Sequence, residues 1–322
     1  MEIRFSLRRL LRRLGLIIAT LLLLAVLHGC APDISPAGSK DAVPAKKQVT
    51  VTTSFLADMV RVLAGDFVDI QLLIPAGEDP HQYVAKPQDF QKIESADLVL
   101  YHGLHFEGKM IEILEKLGKS VSAHFPADRI GTMDEEGEGI IDPHFWFDIF
   151  LYKAAVTEAA EQLSLLLPEH ADAIRTRRDQ YLTELTDLDA EIREKISSIP
   201  LEQRFLVTPH DAFNYFSRAY NIAVVAPQGV STDSETSNAD IDRTVAFIVQ
   251  HKIKAVFSES TTNPERMQKL KEICLAKGWP IDVVEGEGRE LFSDSLAPQG
   301  HDGDTYLSMY RHNVDLIVTY LR

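Results

Sequence analysis

The chain is poor in cysteine. It holds two in 322 residues, Cys30 and Cys274, so no disulfide framework can carry the fold. Cys274 sits in MQKLKEICLAKGW at helical spacing with Leu270 and reads as a buried structural thiol. Positive charge is also scarce, with 33 Lys and Arg against 48 Asp and Glu and a net charge of −15. Five of those arginines lie in the first fifteen residues. Without residues 1–29 the chain carries 28 basic against 47 acidic side chains, near −19. Nucleic acid and anionic lipid both need positive surface, so neither is expected as a partner bound by charge; a cation is the better match. No apolar run approaches the roughly 20 residues that a membrane helix needs. There is no HExxH and no nucleophile motif, no low-complexity tract and no short-period repeat.

What is present begins at the N-terminus. MEIRFSLRRLLRRLG is basic, LIIATLLLLAVL is apolar for twelve residues, and HGC follows. That order reads as a secretory signal over residues 1–29 rather than a span. Leu27-His28-Gly29-Cys30 resembles a bacterial lipobox, in which Cys30 becomes the lipidated first residue; an uncleaved signal anchor is the other reading. Residues 30–48, rich in Pro, Ala, Ser and Lys, form a flexible tether.

From there β-rich runs alternate with helical ones, the pattern of an α/β domain with a mainly parallel sheet. Strands are expected over 49–53, 68–74 and 98–101, with helices over 56–64, 87–95 and 109–117. This first lobe, 49–147, ends just past the acidic loop DEEGEG at 134–139. Residues 148–198 form a helical linker. Its second part, 169–198, lacks Pro and Gly and carries Leu185, Leu188, Ile192 and Ile196 on one face. It predicts a strut of about 45 Å. The apolar stripe is too short for a coiled coil. A second α/β lobe follows over 199–322, with strands at 205–208, 222–226, 255–257 and 281–284. The expected fold is thus two similar α/β lobes with mainly parallel sheets, joined by one long rigid helix, with a ligand cleft between them.

Ligands of parallel α/β sheets gather at the carboxyl ends of strands. His81 in GEDPHQYVAKP and His210 in VTPHDAF follow strands, and His144 in DPHFWFD precedes a helix, so all three sit in loops. A transition-metal site needs about four ligands, and LFSDSLAPQGHDGDTY offers Asp294, His301, Asp302 and Asp304. Spacing alone does not choose among them. A metal-bound imidazole usually donates its other N–H to a carboxylate or carbonyl. Asp79, Asp142, Asp211 and Glu259 are candidates for that role, and Glu259 of FSES, at a strand end, is the first choice.

GEDPHQYVAKPQDFQKIESADLVLYHGLHFE, DPHFWFD, VTPHDAFNYFSRAYNI, GVSTDSETS, AVFSES and LFSDSLAPQGHDGDTYLSMYRHN resemble, in order, the successive motifs of the zinc/manganese solute-binding lipoproteins of ABC transporters, the cluster A-I family. The likeness covers nearly all of residues 49–322. It implies one divalent metal ion held in the cleft by His81, His144, His210 and Asp294, delivery to an ABC permease and an exported lipid-anchored location; a monomer is expected. Some members carry Glu where His210 stands. Dedicated zinc members often have a His-rich loop before DPHxW, where this chain has DEEGEG. The family commonly reads NGLxxE where this chain has HGLHFE, so a second site at His102 and His105 is a side reading. Three imidazoles and one carboxylate favour zinc, with manganese close behind and ferrous iron third. Two other functions compete with this non-catalytic carrier: a zinc-dependent hydrolase with Glu259 as general base, and a surface adhesin.

Overall fold

The computed structural model describes residues 45–135 and 138–322. The expected signal, Cys30 and most of the tether lie outside them. Residues Lys46–Arg322 form one unit, built as two α/β halves braced by a helix.

The first half opens with strand β1 (Lys47–Val51), helix α1 (Ser54–Ala64) and strand β2 (Val68–Leu72). Helix α2 (Pro87–Ser95), strand β3 (Leu98–Tyr101), helix α3 (Ile111–Leu117) and strand β4 (Lys119–Ser120) follow. All four strands are parallel, in the order β2-β1-β3-β4. Crossover helices cover such a sheet, which is why β1 and β3 end in consecutive buried residues rather than alternating ones. Pro87 starts α2 at the position where its missing N–H costs nothing, and Asp89 accepts the Lys86 N–H at 2.8 Å. Of the acidic stretch expected as a boundary loop, residues 134–135 and 138–139 instead pair in two antiparallel strands, β5 (Thr132–Glu135) and β6 (Glu138–Ile141). Helix α3 is preceded by a 3₁₀ turn, Gly108–Met110.

Helix α4 (Ile149–Leu166) is capped by Asp148, whose carboxylate accepts the Phe150 N–H at 2.9 Å. The strut, α5 (Ala171–Ser197), is 27 residues long, about 40 Å. It is shorter than expected because Pro168–His170 closes a separate 3₁₀ turn first. Ile174, Tyr181, Leu185, Leu188, Ile192 and Ile196 form its buried stripe. Near its start Arg177 pairs with Asp66 of the first half at 2.8 Å. Near its end Lys195 pairs with Asp315 of the second half at 2.6 Å, and Glu191 pairs with Arg311 at 2.9 Å. These pairs are exposed and contribute little each. The buried stripe carries the brace.

The second half holds β7 (Phe205–Val207), α6 (Asn214–Tyr220), β8 (Ala223–Val225), α7 (Asn238–His251), β9 (Ala255–Phe257), α8 (Glu265–Ala276), β10 (Asp282–Val284) and α9 (Tyr306–Leu321). Its strands pair in parallel as β7-β8 and β10-β9; β9 falls as expected, and β7, β8 and β10 are each one or two residues shorter than expected. Cys274 is buried and free. The seam between the halves is aromatic. Tyr306 and Tyr310 of α9 donate to the carbonyls of Trp146 and Phe147 at 2.6 and 2.8 Å, and Trp146 Nε1 donates to the Ser293 carbonyl at 2.8 Å. These bonds fasten the FWF segment that follows His144.

Candidate metal centre

Four side chains meet at this seam. His81 lies between β2 and α2, His144 just before α4, His210 after β7 and Asp294 after β10. Each offers one ligand atom, and the four atoms lie within 4.8 Å of one another. His144, His210 and Asp294 are fully buried, and His81 is 4% exposed. His81 Nε2 is 3.3 Å from His144 Nε2, His144 Nε2 is 3.3 Å from Asp294 Oδ1, and His210 Nε2 is 3.2 Å from Asp294 Oδ2. Ligands at zinc's usual bond lengths stand about 3.4 Å apart on a tetrahedron, so these spacings fit one ion. His210 Nε2 and Asp294 Oδ1 are buried without hydrogen-bond partners. Burial of an unpaired polar atom is costly, and an ion at this point would relieve both.

The outer nitrogens are held unequally. His144 Nδ1 pairs with Asp142 Oδ1 at 2.8 Å, and His210 Nδ1 with Glu259 Oε2 at 2.5 Å. Either contact turns the ring's other nitrogen toward the centre. Asp142 is itself fixed, since Tyr215 donates to its carbonyl at 3.0 Å. Glu259 Oε2 also accepts from Ser293 at 3.2 Å. His81 differs: among the described residues no carboxylate bonds its ring. It is braced by Phe106, edge-on at 5.0 Å, and by Asp79 Oδ1, which accepts its backbone N–H at 3.0 Å.

The electrostatics follow the same division. Burial lowers the His81 pKa to about 3, against a weaker upward pull from Asp294, so this imidazole is neutral. Burial also opposes charge on His144 and His210, but Asp142, Asp294 and Glu259 outweigh it. They raise His144 and hold His210 well above its ordinary value. Burial pushes Asp294 up, yet His210, His144 and His81 overcome it and keep the carboxyl well below the usual range.

The other candidates lie elsewhere. His301 and Asp302 are exposed; Asp302 pairs with His312 at 3.1 Å, and Asp304 accepts the Gly300 N–H at 2.7 Å. Asp211 is half-buried, with its backbone N–H on the Gln228 and Gly229 carbonyls. His102 is buried among Phe55, Phe106, Phe145 and Trp146 with Nε2 on the Thr53 hydroxyl at 2.7 Å, while His105 is exposed. Among the described residues no second group of three ligating side chains forms. Phe106 and Ser293 went unnoticed in the sequence. Ser293 adjoins Asp294 in FSDS, which is the one local signal for it.

Beneath His81 lies a left-handed loop. Gly103, Leu104 and His105 all have positive φ, at 83°, 54° and 63°, a region costly for the two non-glycine residues. The buried Glu107 carboxylate gathers the N–H groups of His102 and Gly103 at 2.6 and 3.3 Å and the Thr52 hydroxyl at 2.7 Å. Gly108 (φ 35°) then passes so close that a Cβ there would meet the His81 carbonyl at 2.5 Å.

Two α/β halves, a bracing helix and a buried point ringed by three imidazoles and a carboxylate define a two-lobe metal-binding protein. The chain belongs to the family described as zinc-uptake complex component A, periplasmic (ZnuA), whose model matches residues 49–320. It is 39% identical over 313 residues to the manganese-binding lipoprotein MntA of Bacillus subtilis, covering 96% of this chain and all of that one. It is 41% identical over 290 residues to the zinc-binding protein TroA of Treponema pallidum, covering 88% and 92%. A solved structure of a TroA, 60% identical, superposes with a TM-score of 0.85 over 86% of this chain and all of that chain. The family serves metal uptake and is not enzymatic.

Proposed function

We propose that this protein captures a divalent transition metal outside the cytoplasm and hands it to an ABC permease, with His81, His144, His210 and Asp294 as its ligands. The carrying observation is the convergence of those four buried side chains with two orphaned ligand atoms aimed at their centre. Asp142 and Glu259 orient His144 and His210, and Asp211 steadies the loop after His210. Relatives named for zinc and for manganese are about equally similar to this chain, so both ions belong to the reading, with zinc favoured by the nitrogen-rich set and ferrous iron third. Relatives named as lipoproteins support lipid attachment at Cys30 and a place on the cell envelope. The acting form is a monomer whose lobes span 49–147 and 199–322, linked by 148–198.

The test is a competitive titration of the metal-free protein with zinc and manganese, alongside His210→Glu. One-to-one binding that weakens for zinc in the variant is the expected result. No binding by the unmodified protein would overturn the proposal.

A further inference from the structure

Each half of the centre is tied to the other by a residue beside a ligand. Ser295, next to Asp294, accepts the Gly77 N–H at 2.8 Å and meets the Ser54 hydroxyl at 3.1 Å. Across the mouth, Thr232 does the reverse. Its hydroxyl donates to Asp79 Oδ2 at 2.5 Å, and its carbonyl accepts Gln82 Nε2 at 3.0 Å. Asp79 and Gln82 flank His81 in the chain, and Asp79 also holds the His81 backbone N–H. Gln82 Nε2 reaches Asp79 Oδ2 as well, at 3.1 Å.

Thr232 is 4% exposed although it lies in a loop outside regular structure. That loop is fixed from behind. Gln228 donates to the Thr232 and Ser234 carbonyls at 2.9 and 2.6 Å, and Arg266 donates to Gln228 Oε1. His210 and Gln228 form a backbone bridge, so the same loop is continuous with the His210 segment. A further pair, Lys109 with Asp233 at 3.4 Å, is exposed and weak.

His81 is the one ligand with any exposure, so an ion leaves or enters on its side. The His81 segment has to separate from the 228–234 loop for that to happen, and the contacts that resist the separation converge on Thr232. We propose that Thr232 is a positioning residue for metal retention. Through Asp79 and Gln82 it clamps the His81 segment and sets how slowly the bound ion departs. The inference rests on the carrier reading above and adds the residue that governs release.

The experiment loads detergent-solubilised full-length protein with zinc, then adds excess chelator and follows release by stopped flow. Thr232→Val keeps the shape and removes the hydroxyl. It should release zinc about tenfold faster, with the variant still folded and still loading one ion. Thr232→Ser should restore slow release. Gln82→Leu, at an exposed position, gives a second reading in case Thr232→Val fails to fold, with an expected acceleration of about threefold. Release within twofold of the unmodified protein in a folded Thr232 variant and in Gln82→Leu would overturn the clamp. Zinc uptake failing in the unmodified protein would remove the carrier reading itself, and the clamp with it.

Discussion

The two sides of the metal centre are built on different principles. His144, His210 and Asp294 form a charged cluster in which Asp142 and Glu259 back the two imidazoles. His81 is neutral, set against Phe106 and a left-handed loop. The first side is ordered by electrostatics, with Asp142 and Glu259 holding the outer nitrogens so that the inner ones face a common point. The second side is ordered by packing and by contacts across the mouth. A carrier needs both properties, since preorganised ligands give affinity while release needs one part that can leave without stranding a buried charge. His81 is suited to be that part because withdrawing a neutral ring exposes no unpaired ion.

The widest separation between the two sides should appear on deleting a ligand from each. Asp294→Ala and His81→Ala should both weaken zinc binding by more than the roughly 100-fold upper figure for outer partners. The metal-free proteins should diverge. Asp294→Ala removes the partner of two buried rings and should cost about 3 kcal/mol of stability, whereas His81→Ala removes a neutral ring and should cost less. Equal losses in denaturant melts of the two apo variants would break the comparison. Next in size are Glu259→Gln and Asp142→Asn, expected to lower zinc affinity about 10- to 100-fold by loosening ring orientation, measured by competition with a chromophoric chelator.

Much of this was legible in the chain. Helix α2, strand β3 and strand β9 fall at the expected residues because Pro87, the LVLY run and the AVF run each mark their own ends. His81 and His210 stood out because strand-end loops collect ligands, and His144 because it sits in a loop before a helix. Asp294 could not be separated from His301, Asp302 and Asp304 by spacing, because the choice depends on which side of a loop faces inward. The acidic strand pair was hidden by residues that look like loop, and β5 and β6 form only through pairing with each other. The contacts of Thr232 with Asp79 and Gln82 join residues about 150 positions apart, and no local pattern carries such a contact.

Protons give a third, smaller contrast. Metal coordination needs neutral ring nitrogens. His81 is neutral at any ordinary pH, with its pKa lowered to about 3. His144 and His210 carry raised pKa values because carboxylates outweigh their burial. The stability these two protons lend the metal-free fold is full below about 6.5 and is lost as pH rises through the raised values. Zinc binding near neutrality should therefore release protons from this side, and affinity should fall as pH falls. Calorimetry in buffers of different ionisation enthalpy counts those protons. The count should persist in the residual binding of His81→Phe and drop in that of His210→Glu. A count that drops in His81→Phe would place the proton on the wrong side and undo the distinction.

The smallest expected effect lies under the neutral side, at Glu107. Burial raises its carboxyl from 4.5 to about 7, although the N–H groups of His102 and Gly103 and the Thr52 hydroxyl favour the charged form. A folded carboxyl with a raised pKa binds more protons than the unfolded chain between those values. Its contribution is full below about 4.5 and is lost as pH climbs through about 7. Glu107→Gln keeps an acceptor for the His102 N–H and the Thr52 hydroxyl but cannot ionise. The melting temperature of the metal-free variant should fall less steeply over that interval, while zinc affinity near neutral pH changes less than threefold. If zinc affinity fell as far as in Glu259→Gln, the loop beneath His81 would be coupled to the ion as tightly as the carboxylates are, and the two sides would be one device.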